Sequence, residues 1–248
     1  MKHLIFQKIG LVILIGLILS FSCGGKVTTR SNPTKYKFTI NGVVVKDLSL
    51  GKDIIYFKVL KDSVSFDGAV VKVGADTIKS NGYGMYIKEA SKIFNFGQSL
   101  PILISSAPDS FSLSTSVSMP TSFSITGTNH PIVTSNMADK MKLYFSQSTG
   151  ATGYFMSIIQ PENVDGYTRL IPATEIGDAR IPPETFYNGP TFVTGTYKIY
   201  VVAYRSSFLV YPDMKFFLPD GLPANNISGA NGTIGAGVVA DLFSIKAE

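Results

Sequence analysis

The sequence predicts an all-β protein built as two β-sandwiches in tandem behind a short N-terminal address. Three observations predict this. Short runs in which apolar and polar residues alternate recur along most of the chain, as half-buried strands require. Helical periodicity is almost absent after residue 34. Turn formers are frequent, with 23 glycines and 13 prolines among 248 residues. That length allows one large β domain or two of ordinary size. With 45% hydrophobic and only 16% charged residues, the chain is too apolar to be disordered over most of its length.

Residues 1–22 come first. Lys2 and Lys8 give a positively charged start, and Ile9–Leu19 is an unbroken apolar run. Eleven residues suit the hydrophobic region of a signal peptide, whereas a membrane-spanning helix needs roughly 20. Ser20-Phe21-Ser22-Cys23-Gly24-Gly25 follows. A small residue before a cysteine at this point resembles the lipobox of bacterial lipoproteins. Ser22 and Gly24 match that pattern, while Ser20 and Phe21 stand where it favours an aliphatic and a small residue.

The resemblance implies that Cys23 is alkylated by a diacylglyceryl group, that signal peptidase II cuts before it, and that the new amino terminus is acylated, palmitate being the usual chain. It also implies a cell-envelope location, anchored by lipid, with the outer membrane of a Gram-negative bacterium as the expected site. Residues 23–34 are small, polar and broken by Pro33, which reads as the lipidated cysteine and a flexible tether.

Residues 35–122 form the first expected sandwich. Tyr36, Phe38 and Ile40 alternate with lysine and threonine, and Asn41-Gly42 is expected to turn the chain into Val43–Val45. Ile54–Val59 is β-rich. Asp67-Gly68, between Val64–Phe66 and Ala69–Val73, carries the signature of a tight hairpin. Runs at Met85–Ile87, Ile93–Phe96, Leu100–Ile104 and Ser110–Val117 complete this half. It carries most of the positive charge: residues 24–100 hold 12 Lys or Arg and 6 Asp or Glu, against 8 and 11 in residues 101–248. No basic cluster stands out, so the lysines read as a solvated face and no nucleic-acid partner is expected.

Residues 123–248 form the second. Met141–Phe145 and Gly153–Ile159 are strands, and Gly195–Tyr204 is the longest alternating run. The segments KLYFSQSTGATGYFMSI and TGTYKIYVVAY resemble strands B, C and F of fibronectin type III and related immunoglobulin-like domains. That likeness implies a tyrosine corner at Tyr197, whose hydroxyl would bond back to the preceding loop. It also implies that Phe145 fills the place of the family's core tryptophan. The first half looks similar to small immunoglobulin-like modules through AVVKVG, GYGMYI and PILI. Gly229–Gly237 lacks the ending of a phosphate-binding loop and reads as a flexible connection into a last strand, Val238–Ile245.

Chemistry is sparsely represented. One cysteine and two histidines exclude a disulfide framework and any Cys- or His-rich metal site, and no cofactor is expected. His130, before Pro131, reads as a loop residue. Glu162, Asp165, Glu175, Asp178 and Glu184 are the carboxylates from which a hydrolase would have to draw an acid–base pair. Tyr200 and Tyr204 point away from the Tyr197 face. They are candidate surface-binding residues for a polysaccharide or an envelope protein, unless the Pro-rich segment Tyr211–Pro223 or the neighbouring module covers them. The expected function is that of a non-enzymatic envelope lipoprotein, a membrane-anchored binding or spacer module. A carbohydrate- or polymer-binding accessory role is the first alternative, and a loop-carboxylate hydrolase is the second.

Overall fold

Most of the expected strands form, but they are joined differently from the way their turn signals suggest. The computed structural model describes residues 36–136, 141–161, 166–224 and 226–248. The signal segment, Cys23, the tether, Glu162 and Asp165 lie outside the described residues. The first half contains β1 (Phe38–Asp47), β2 (Lys52–Lys61), β3 (Val64–Ser65), β4 (Val70–Val73), β5 (Asp76–Ile78), β6 (Met85–Ala90), β7 (Ser99–Ser106) and β8 (Phe111–Ser118). The second contains β9 (Ile125–Thr128), β10 (Ile132–Val133), β11 (Lys142–Phe145), β12 (Gly153–Ile159), β13 (Gly166–Ile171), β14 (Ala179–Arg180), β15 (Tyr187–Asn188), β16 (Thr191–Phe192), β17 (Gly195–Arg205), β18 (Asn231–Val239) and β19 (Phe243–Ala247). The protein is all-β, and the helical pieces among the described residues are short 3-10 turns.

Each half supplies a small sheet of its own, in the orders β5-β4-β7-β8 and β14-β11-β9. The expected boundary at 122/123 separates these two sheets. It does not divide the large, ten-stranded sheet, which draws strands from both halves. There β1 pairs in parallel with β18, from Thr39 opposite Asn231 to Asp47 opposite Val239, and residues 36–248 form one compact unit. Across its width the large sheet runs β13-β12-β17-β18-β1-β2. β19 lies beside the first half of β17, and β6 beside β2.

Because side chains alternate along a strand, the large sheet has two distinct cores. Ile40 and Val44 of β1, Ile55 and Phe57 of β2, and Tyr197, Ile199 and Val201 of β17 share one core with the inward residues of both small sheets. Val43, Val45, Ile54, Phe155, Tyr200, Val202 and Tyr204 belong to the other. That second face is covered by the segment that follows β17. Phe208, Tyr211 and Phe216 are buried in it, with Leu209, Met214, Leu218 and Leu222 packed around them. We call this covering segment the strap.

Four sequence expectations are corrected. First, Asn41-Gly42 does not turn: β1 runs through it, laddered on both sides by β18 and β2. A Cβ on Gly42 would lie 2.2 Å from the Phe57 ring, so the glycine is there for close approach. Second, Asp67-Gly68 is not a hairpin. β3 belongs to the large sheet and β4 to a small one, so the chain is crossing between layers. Asp67 instead accepts from Ser80 Oγ at 2.5 Å and Gly84 N at 2.7 Å. The tight turn in this region is Asp62-Ser63, both at positive φ, linking β2 to β3.

Third, Ile93–Phe96 is a loop, because a carboxylate rather than a neighbouring strand takes its amides. Asp53 Oδ2 accepts from Ile93 N at 2.6 Å and Phe94 N at 3.0 Å, while its Oδ1 accepts from Lys46 Nζ at 2.6 Å. Both partners of that ion pair are nearly inaccessible, and the Lys46 ammonium also lies over the Phe94 and Phe96 rings. Fourth, the glycine-rich Asn231–Val239 is no flexible connection. It is β18, buried along almost all its length in the middle of the large sheet. Its alternate glycines make room for the strap: a Cβ on Gly235 would meet Ser207 O at 2.0 Å, and one on Gly237 would meet Phe208 Cε2 at 2.3 Å.

Candidate binding cleft

Tyr197 is fully buried, and its hydroxyl donates to Val193 O, four residues upstream, at 2.9 Å. Burial pushes its phenol up to about 12. Phe145 is buried on β11, with the Phe123 and Tyr154 rings 6.3 and 5.6 Å away. β11 lies in one small sheet, whereas β12 and β17 pair with each other in the large one.

Tyr200 and Tyr204 are not surface residues: they are 4% and 8% exposed. Their face of β17 points away from the Tyr197 core, as alternation requires, but the strap closes over it. The Tyr200 ring packs 5.1 Å from Phe216, and the Phe155 ring of the neighbouring β12 lies 5.5 Å from Phe208 and 6.2 Å from Tyr204. Burial raises both phenols above their ordinary value. The Tyr204 hydroxyl sits against Gly153, where a Cβ would lie only 2.5 Å from it.

The strap is pinned by polar contacts. Tyr211 donates to Asp47 Oδ2 at 2.6 Å, Ser207 Oγ to Pro223 O at 2.5 Å, and Phe217 N to Ser157 Oγ at 3.0 Å. Asp47 is itself buried and also accepts from Ser49 Oγ and Leu50 N, so its oxygens are occupied by neutral donors. Burial and the adjacent Asp47 carboxylate drive the Tyr211 phenol far above its ordinary value.

Of the described loop carboxylates, two are held in ion pairs. Glu175 takes a two-pronged bond from Arg169, at 3.0 and 2.8 Å, and Asp178 pairs with Lys142 at 3.2 Å. Glu184 sits in the 3-10 turn Pro183–Phe186. His130 follows β9, with its backbone N bonded to Thr128 Oγ1. Among the described residues no three His, Cys, Asp or Glu side chains come together as a metal site, and no helix is long and apolar enough to cross a membrane.

A cleft of about 420 Å³ opens where the strap leaves the large sheet. Ile159 of β12 and Tyr200 of β17 line the sheet side, and Met214, Phe216 and Phe217 the strap side. Lys198 of β17 and Lys215 of the strap complete the lining. The strap covers β17 from Tyr204 down to Tyr200 and leaves the next residue on that face, Lys198, exposed. Phe217 is 46% exposed, so the cleft has an accessible aromatic wall. A second cleft of about 340 Å³ is lined by polar residues such as Gln147, Ser148 and Thr152 together with Tyr154, Ile171 and Tyr204.

The volume of the first cleft lies in the range of small-molecule sites, and its apolar walls with a few charged groups are the usual composition of such a site. Alternation along β17 puts Lys198 on the same face as Tyr200, whereas Met214 and Lys215 reach that face only through the path of the strap. Comparison with known proteins returns no matching family model and no matching curated protein.

Proposed function

We propose that this chain is a lipid-anchored protein of the cell envelope, non-enzymatic, whose β body serves as a binding module held off the membrane by a short tether. The observation that carries the reading is Ser22-Cys23-Gly24 directly after the Ile9–Leu19 apolar run, with Cys23 the only cysteine. One acyl chain on that sulfur would hold the protein marginally, whereas two or three hold it stably at about 0.8 kcal/mol per buried methylene.

A fibronectin type III-like reading of residues 123–248 is supported by the buried Tyr197 with its upstream bond and by the separation of β11 from the β12–β17 pair. The apolar cleft beside Tyr200 supports binding over a pure spacer role. It also moves the contact surface from the outward tyrosines to the end of the strap. Polysaccharide recognition through stacked Tyr200 and Tyr204 rings is disfavoured by their burial.

Mass spectrometry of the protein extracted from membranes tests the anchor. The expected species begins at Cys23 and carries acyl chains, and Cys23→Ser abolishes both the acyl mass and recovery with the membrane fraction. A retained leader or an unmodified thiol at position 23 overturns the proposal.

A further inference from the structure

The two lysines of the cleft beside Tyr200 distinguish it from an ordinary surface depression. Neither Lys198 nor Lys215 forms an ion pair with any described residue, and among the described residues no carboxylate lines the cleft. The acid next to Met214 on the strap, Asp213, is directed elsewhere, with its Oδ2 3.9 Å from Lys52 Nζ. Two cations therefore border a pocket whose walls are otherwise Ile159, Met214, Phe216, Phe217 and the Tyr200 ring.

We propose that this cleft binds a small organic carboxylate with an apolar body, the carboxylate between Lys198 and Lys215 and the body against Met214, Phe216 and Phe217. The inference names a ligand class for the binding role proposed above. Apolar area removed from water supplies the affinity. The ammonium groups, mobile on their methylene stems, supply the preference for an anion. A neutral sugar is a poor fit, because among the described lining residues the only uncharged side-chain hydrogen-bonding group is the Tyr200 phenol. A cationic amphiphile is repelled by both lysines.

The test uses the purified full chain and octanoate as the probe, with octan-1-ol and octyltrimethylammonium as controls of matched length. Binding is followed by the methyl resonances of Met214 and Ile159 and by calorimetry. Octanoate is expected to shift those methyls saturably, and to bind at least about tenfold more tightly than either control, a difference of about 1.4 kcal/mol. Lys198→Gln combined with Lys215→Gln is expected to lower octanoate affinity by about tenfold or more while leaving the melting midpoint unchanged. Phe217→Ala is expected to weaken octanoate and octanol alike.

Absence of saturable shifts up to about 10 mM octanoate, far weaker than a functional site requires, overturns the proposal. So does an affinity for octanol equal to that for octanoate, or an affinity that survives removal of both lysines. Because this assay reads the cleft directly, its failure leaves the Cys23 anchor standing, and failure of the anchor leaves the cleft standing.

Discussion

Gly237→Ala tests whether the strap is seated on β18 as the packing requires. An added Cβ would lie 2.3 Å from Phe208 Cε2 and 2.6 Å from Cδ2, whereas ordinary contact begins near 3.4 Å, so the ring has to withdraw by at least about 1 Å. It has little freedom to do so. Phe208 is 1% exposed and held among Phe155, Tyr211 and Phe216 at ring separations of 5.5, 6.0 and 6.4 Å. Gly237 is not at positive φ, so the substitution introduces a steric conflict without backbone strain.

Overpacking of this kind costs about 1–3 kcal/mol. For a body of this size that lowers the melting midpoint by about 2–4 °C per kcal/mol. Urea denaturation of the four proteins in a cycle with Phe208→Ala isolates the contact. Phe208→Ala alone is expected to cost about 3–5 kcal/mol as a large-to-small core change. Once the ring is gone, Gly237→Ala is expected to cost less than half of what it costs in the parent, since Ala203 O at 3.3 Å is the remaining close neighbour. A neutral Gly237→Ala in the parent, or strictly additive effects in the cycle, would refute the placement of the strap on this face.

Two further outcomes follow from the buried polar groups. Lys46→Ala leaves the Asp53 carboxylate charged and buried with only the Ile93 and Phe94 amides. It is expected to cost about 3–5 kcal/mol by denaturation, and a loss under about 1 kcal/mol would show that the pair is solvated. Stability is also expected to fall at alkaline pH. The folded state raises the phenols of Tyr197, Tyr200, Tyr204 and Tyr211 above the value near 10 that they have in the unfolded chain. Their contribution is therefore complete below about pH 10 and is lost as pH climbs beyond it, the unfolded chain releasing protons first. The urea midpoint is expected to decline between about pH 10 and 11.5, less steeply in Tyr211→Phe, and a flat or rising midpoint would contradict the burial.

The alternation of apolar residues carries its information locally, and what it says locally is confirmed. Strands at Ser99–Ser106, Phe111–Ser118 and Gly195–Arg205 lie where period-two patterning puts them, and Tyr197 and Tyr200 lie on opposite faces of β17. Turn chemistry was a weaker guide. Asn41-Gly42 and Asp67-Gly68 have the residues of a hairpin, but a glycine that admits a neighbouring ring looks the same in sequence as one that allows positive φ.

The sequence by itself determined the all-β class, the face assignment along each long strand and the Ser22-Cys23-Gly24 motif, because each depends on residues within a few positions of one another. Only the tertiary structure decided that β1 lies beside β18, that the strap buries Tyr200 and Tyr204, and that Lys198 and Lys215 line the same apolar cleft. Those results join residues far apart in the chain, through backbone pairing and packing that leave no periodic trace. A glycine at 237 and a phenylalanine at 208 are each unremarkable alone, and their meaning comes from lying in contact.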